Sequence, residues 1–444
     1  MPVMRTLVVL LAALHPALAE DARNPLADPA AVREVLSGPR RVANAAWWGF
    51  HDDDATDALQ AAINSGARRV IVPNLHRDWI VRPIELAGRQ ELYLEEGVVI
   101  AAKRGEYRDG GASLFTARDL SDLTIRGYGA TLRMQKEDYM VGGVLAQLGW
   151  DRWFGMYKKA EWRMALSIRG SSDVRVYGLT LRDSGGDGIY VAGGKRNYSK
   201  NVRIKDVVCD NNYRQGISVI SVDGLEVEDS AFRDTWGTPP SSGVDIEPDV
   251  VQERIRDVVF RNCTFADNYG DGIEVFLANL RKESGDVSIL FDKCRVSSRR
   301  GSGIRVTKVD RNGPGGLIEF RDCAVENTEA YGIKVQDKSE AGARVRFARC
   351  ELRNVANNRM YSGAWAPVWI HLFRPEVSSS MGGVDFVDCS VEDKYDRPPV
   401  VFDEPAGPSH LRDITGTIRV ANPSGLHAPG PRENITLRLT ERTW

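Results

Sequence analysis

A dominant charge of either sign is missing from this sequence. Its 444 residues carry a formal net charge of -2, so there is no global basic field of the kind a nucleic-acid partner needs. Long apolar runs are missing too. Beyond the N-terminus none is long enough to span a bilayer, which argues against membrane insertion. Segments with a sustained helical period are few. No phosphate-cradling loop, zinc-ligand spacing or Ser-His-Asp order stands out, so the corresponding enzyme classes drop away. Glycine, by contrast, is plentiful at 42 residues. With so little helical periodicity, that points to an all-β chain with many turns.

The N-terminus reads as a secretory signal over residues 1–19. Arg5 supplies the positive end, Leu7 to Leu14 the apolar stretch, and Ala17-Leu18-Ala19 the small residues of a cleavage site. The expectation is a mature chain from Glu20, in the periplasm or secreted, with residues 20–44 as a leader and 45–444 as one domain.

Six cysteines fall in similar phrases: "VVCDN", "RNCTF", "DKCRV", "RDCAV", "ARCEL" and "VDCSV". Cys209, Cys263, Cys294, Cys323, Cys350 and Cys389 are therefore read as one position of a repeat, with Ser230 of "VEDSAF" filling the long first gap. A second phrase recurs alongside them: "DGIYV", "QGISV", "SGVDI", "DGIEV", "SGIRV", "YGIKV" and the degenerate "APVWI". A period of about 25 to 30 residues built of short strands and turns is the signature of a solenoid. Like strands then stack in parallel sheets about 4.8 Å apart. Neighbouring cysteines in such a column have parallel side-chain vectors, poor geometry for a disulfide, so free thiols are expected. The stretch "DDDATDALQAAINSGARRVIVP" predicts a capping helix over 54–65 that covers one open end.

That helix, the strand "RVIVP" after it, then "ELYLEEGVVI" and the "xGIxV" coils resemble the pectin-lyase-like superfamily over about residues 45 to 420. The resemblance implies a right-handed parallel β-helix acting on polysaccharide. It does not choose a reaction. The polygalacturonase-type pattern of this superfamily, Asn-Thr-Asp-Gly-x-Asp followed by Asp-Asp-Cys, is reduced here to Asp187 in "GGDGIYV", and the next coil reads "RQGIS".

Aligned coil by coil, "GIxV" turns Ile and Val inwards and x outwards. The outward column reads Tyr190, Ser218, Asp245, Glu274, Arg305, Lys334, Trp369, and the next one includes Glu247 and His371. Asp245, Glu247, Asp271 and Glu274 thus gather into one open acidic patch. A pair of carboxyl groups is what glycosidic hydrolysis needs, one to protonate the leaving oxygen and one to attack or activate water. Asp245 and Glu274 are the expected catalytic pair, with Glu247 and Asp271 assisting. Asp187, Arg214, Arg305, Lys334 and His371 are expected to bind substrate. Trp153 and Trp236, from long insertions at 135–163 and "RDTWGTPPS", and Trp369 are expected to offer ring faces to sugars. Lyase or epimerase action on a uronate polysaccharide is the alternative, with Arg305 or Lys334 as base and calcium on the four acids; hydrolysis requires no cofactor. A non-catalytic carbohydrate-binding β-helix is a third reading. The expected partner in each case is a polysaccharide or oligosaccharide.

Overall fold

Each repeat phrase makes one coil of a parallel solenoid. The computed structural model describes residues 26–140, 157–373, 380–404, 410–423, 426, 432 and 434–441. Among these, every strand ladder is parallel, and the "GIxV" strands form one sheet whose spatial order follows the chain from Ile84–Glu85 to Val400–Asp403. Its inward residues, Val244, Ile246, Ile273, Val275, Ile304 and Val306 among them, have no exposed surface. They meet the inward residues of the second, larger sheet in one continuous core.

The start of each "GIxV" strand is set by the turn before it. Asp183, Asn211, Asp234, Asp267, Asn327 and Asn354 all take positive φ, a conformation that Asp and Asn tolerate best among residues with a side chain. Buried asparagines follow at the turn. Asn268 accepts from Thr235 N at 3.1 Å and donates to Phe232 O at 3.0 Å, tying one coil to the one before. The glycine that opens the strand is required by close approach. A Cβ on Gly243 would lie 2.7 Å from both Asn268 Nδ2 and Gly272 O.

The core contains two side-chain ladders. Phe260, Phe291, Phe320, Phe347 and Phe386 stack in register with ring centroids 4.9, 5.2, 5.0 and 5.2 Å apart. Beside them run the cysteines, all free and buried as expected. The expectation of one six-membered column is corrected, however. Cys209 is in register with Phe232, which pairs with Phe265, whereas the strand pairings align Ser230 with Cys263, Cys294, Cys323, Cys350 and Cys389. An inward position of this size accepts sulfur or phenyl alike, so residue type misleads by one position of the same face.

The predicted capping helix is present as α-helix Thr56–Asn64, with Ala58, Leu59, Ala62 and Ile63 buried against the first coil. Asp54 accepts from Thr56 N at 3.0 Å and pairs with Lys103 at 2.8 Å. These partners hold its carboxyl at about 2 although burial works the other way. The stretch read as a leader contains a further helix, Pro29–Leu36, and a strand, Val42–Asn44, paired with Arg69–Val72. Residues 1–19, with the signal-like pattern, lie outside the described residues.

Candidate active site

The strand pairings place Asp245 directly opposite Glu274, Glu274 opposite Arg305, Arg305 opposite Lys334, and Lys334 opposite Trp369. The outward column is therefore continuous, as the sequence predicts. Its exposure is not as predicted. Asp245 is only 1% exposed, Glu274 5% and Asp271 8%. Outward on a lone strand means solvent, but here long side chains from adjacent coils lie over the sheet. Arg214 reaches 3.8 Å from Asp187 and 3.7 Å from Glu247, two acids on strands two coils apart, with Asp245 among them. Arg305 lies 3.1 Å from Glu274 and 3.6 Å from Asp271.

Gln215, which the sequence offers only as a marker of the strand start, fixes Asp245. Its Oε1 accepts from Ser242 N at 2.8 Å, and its Nε2 donates to Asp245 Oδ2 at 2.8 Å. A backbone N–H can only donate, so the amide cannot be turned round. A proton on Asp245 must then sit on Oδ1, a buried atom with no partner among the described residues. The signal that could have found Gln215 was the column itself: Asp187, Gln215, Ser242 and Asp271 occupy one place in successive coils.

Burial sets the protonation of these groups. Asp245 is withdrawn from water and crowded by Glu274 and Glu247, which holds its carboxyl well above the usual range. Burial, with Asp271 adding repulsion against the pull of Arg305, raises Glu274 to about 7. Burial raises Asp187 to about 6 against the attraction of Arg214. Lys334 is pushed below its ordinary value by burial and by Arg305. His371 falls to about 4, by burial and by Lys334, and is neutral near pH 7.

The aromatic expectations are largely corrected. Trp369 cannot offer a ring face to a sugar: Tyr331 stacks on it at 4.6 Å and His371 at 3.6 Å. His371 is itself only 5% exposed, which limits the contact expected of it. Trp236 is half out in solvent, but it lies along the turn column. Its indole N–H donates to Asn211 Oδ1 at 2.8 Å and Lys136 sits beneath it at 4.2 Å, away from the acids. Tyr139 and Tyr157, at the two ends of the long insertion, are core residues packed around the buried Arg163. Trp153 lies outside the described residues. The calcium ligand set is not assembled either. Among the described residues no three of His, Cys, Asp and Glu converge on a common point, and the four acids turn their oxygens to Gln215, Arg214, Ser302 N and Arg305.

A family model described as "Right handed beta helix region" matches residues 160–282. No curated protein matches the sequence. Among solved structures, the A-module of Azotobacter vinelandii mannuronan C-5 epimerase AlgE6 is similar, with a TM-score of 0.61 and 15% identity over 90% of this chain and 99% of that one. The AlgE4 A-module from the same organism gives 0.58 and 12% over 90% and 98%. The catalytic unit of a thermostable GH87 alpha-1,3-glucanase from Streptomyces thermodiastaticus strain HF3-3 gives 0.53 and 14% over 91% and 69%. At such identities the likeness concerns the fold alone, a right-handed parallel β-helix.

Proposed function

We propose that this β-helix is a polysaccharide-active enzyme that hydrolyses glycosidic bonds with Asp245 and Glu274. One observation carries the reading: two buried carboxyl groups stand opposite each other on neighbouring coils, and both are raised, so that the pair holds a proton near neutral pH. Asp245 is the proton donor, through the Oδ1 that Gln215 leaves free. Glu274, beside Arg305, is the carboxylate that attacks the anomeric carbon. The leaving oxygen takes the proton, and water then releases the sugar from Glu274 as Asp245 takes the proton back. Neighbouring coils are about 4.8 Å apart, close to the roughly 5–5.5 Å of retaining pairs and short of the 6.5–9.5 Å that an intervening water needs. Arg214 and Glu247 cover Asp245, so substrate entry requires Arg214 to move aside.

The test is a screen of neutral and acidic polysaccharides with reducing-end and near-ultraviolet readouts, then Asp245→Asn and Glu274→Gln. Each variant is expected to lose about 10² to 10⁴ in rate while folding normally. Turnover at wild-type rates in both removes the proposal.

A second reading, elimination or epimerisation on a uronate, is favoured by Lys334, whose lowered proton affinity suits a base beside the cationic Arg305. Two similar folds carry the name mannuronan C-5 epimerase. Lyase products would absorb in the near ultraviolet; hydrolase products would not. Export through the N-terminal signal is part of the same proposal and is checked by locating the expressed protein.

A further inference from the structure

Two cationic coils follow the acidic ones. Arg305 and Lys334 stand directly opposite each other, and like charges so placed repel. Arg305 is balanced by Glu274 and Asp271. Lys334 is not: among the described residues it lies over the rings of Trp369 at 5.0 Å and Tyr331 at 5.9 Å, with no carboxylate in ion-pair range. It is half-buried and so keeps an open side. The same coils hold further unmet polar atoms. Arg305 Nε, Thr307 Oγ1, Trp369 Nε1 and His371 Nε2 are buried without hydrogen-bond partners among the described residues, and Thr307 and His371 are 0% and 5% exposed. A cation with no carboxylate in ion-pair range, beside a second cation and a group of unmet polar atoms, is an arrangement that an anion would complete.

We propose that Arg305 and Lys334 form an anionic-sugar subsite that takes the carboxylate of a uronic acid residue one to two coils, about 5 to 10 Å, from Glu274. The inference rests on the acid pair being the reacting centre, and it makes the substrate an acidic polysaccharide. The sugar's carboxylate neutralises Lys334 and orders the chain along the stack of coils. A sulfate ester shares this charge, so the probes must separate the two.

Calorimetric titration of Glu274→Gln protein tests it without turnover. The probes are short oligomers of galacturonate, mannuronate and glucuronate, a sulfated galactan oligomer and a neutral glucan oligomer. At least one oligouronide is expected to bind, more weakly as salt rises. Adding Lys334→Met should cost about tenfold or more in affinity, and Lys334→Arg, which keeps the charge, within about threefold. Failure of every oligouronide to bind, binding confined to the sulfated probe, equal binding of the neutral probe, or an unchanged affinity in Lys334→Met overturns the subsite. Wild-type turnover in the Glu274→Gln single variant would instead remove the acid-pair reading and leave the binding result standing.

Discussion

The proton on Glu274 has a signature that needs no substrate. Its carboxyl starts from 4.5, and in the folded chain burial and Asp271 lift it to about 7 against Arg305. The folded state therefore binds this proton more tightly than the unfolded state. Below 4.5 both states hold it, and its contribution to stability is fully present. Between 4.5 and 7 the unfolded chain releases the proton while the folded chain keeps it, so stability falls as pH rises. Above 7 the loss is complete. The difference, 7 minus 4.5, at roughly 1.4 kcal/mol per pH unit amounts to about 3 kcal/mol. Glutamine has no such proton and removes the dependence. Urea unfolding of wild type and Glu274→Gln at about pH 4 and about pH 8 should show wild type losing about 3 kcal/mol relative to the variant between the two conditions. A relative stability unchanged to within about 0.5 kcal/mol would mean that Glu274 is ionised throughout, and the raised carboxyl at Glu274 would have to be abandoned, leaving Asp245 as the pair's proton holder.

Phe320→Ala removes a ring stacked on both sides, at 5.2 and 5.0 Å, and should cost about 3–5 kcal/mol in denaturant unfolding; a loss below about 1 kcal/mol would contradict the packed ladder. All six thiols are buried and free, so an aromatic disulfide reagent should label none in the native protein and all six in guanidinium; rapid native labelling would refute their burial. His371, held at about 4 by burial and Lys334, should show imidazole NMR shifts that stay constant from about pH 5.5 to about pH 8, whereas a midpoint near the ordinary value of about 6.5 would place the ring in solvent. Arg163→Met strips donors from the carbonyls of Tyr107 and Lys158 and should destabilise by about 1–3 kcal/mol in the same unfolding assay.

Much of the fold was legible because a solenoid writes its register into the sequence. The glycine of each "GIxV" phrase is needed where coils approach closely, and the Ile and Val flanking x must face the core, so lining up the phrases lines up the coils. That is why Asp245 and Glu274, far apart in the chain, were placed together correctly. Register is also where the reading of Cys209 slipped, since an inward cysteine and an inward phenylalanine do the same packing work. What the sequence could not display was the covering of the outward face. Whether Arg214 extends over Asp245 or into water depends on where Asp187 and Glu247 stand on coils before and after it. The faces of Trp369 were hidden for the same reason: Tyr331 comes from a neighbouring coil.

The order of charges in the column sets the proposed site apart from a stabilising ladder. The other sheet of this molecule has a ladder of the stabilising kind. Glu228, Arg261, Asp292 and Arg321 stand opposite one another in succession, with alternating sign, and both carboxylates are held below their ordinary values, Glu228 first by Arg203 with Arg261 adding, Asp292 by Arg321 and Arg261. Every neighbour there is an attraction. On the "GIxV" sheet the same spacing carries acid, acid, base, base: Asp245, Glu274, Arg305, Lys334. Of its three contacts only Glu274 with Arg305 is attractive. The other two are repulsions, and they add to burial in raising Asp245 and lowering Lys334. Exchanging Glu274 and Arg305 would turn every contact into an attraction with no change of backbone. A chain that alternates the charges of one column and sorts those of another by sign is giving up stability at the sorted column, and such a sacrifice is expected where groups must exchange protons and meet a charged ligand.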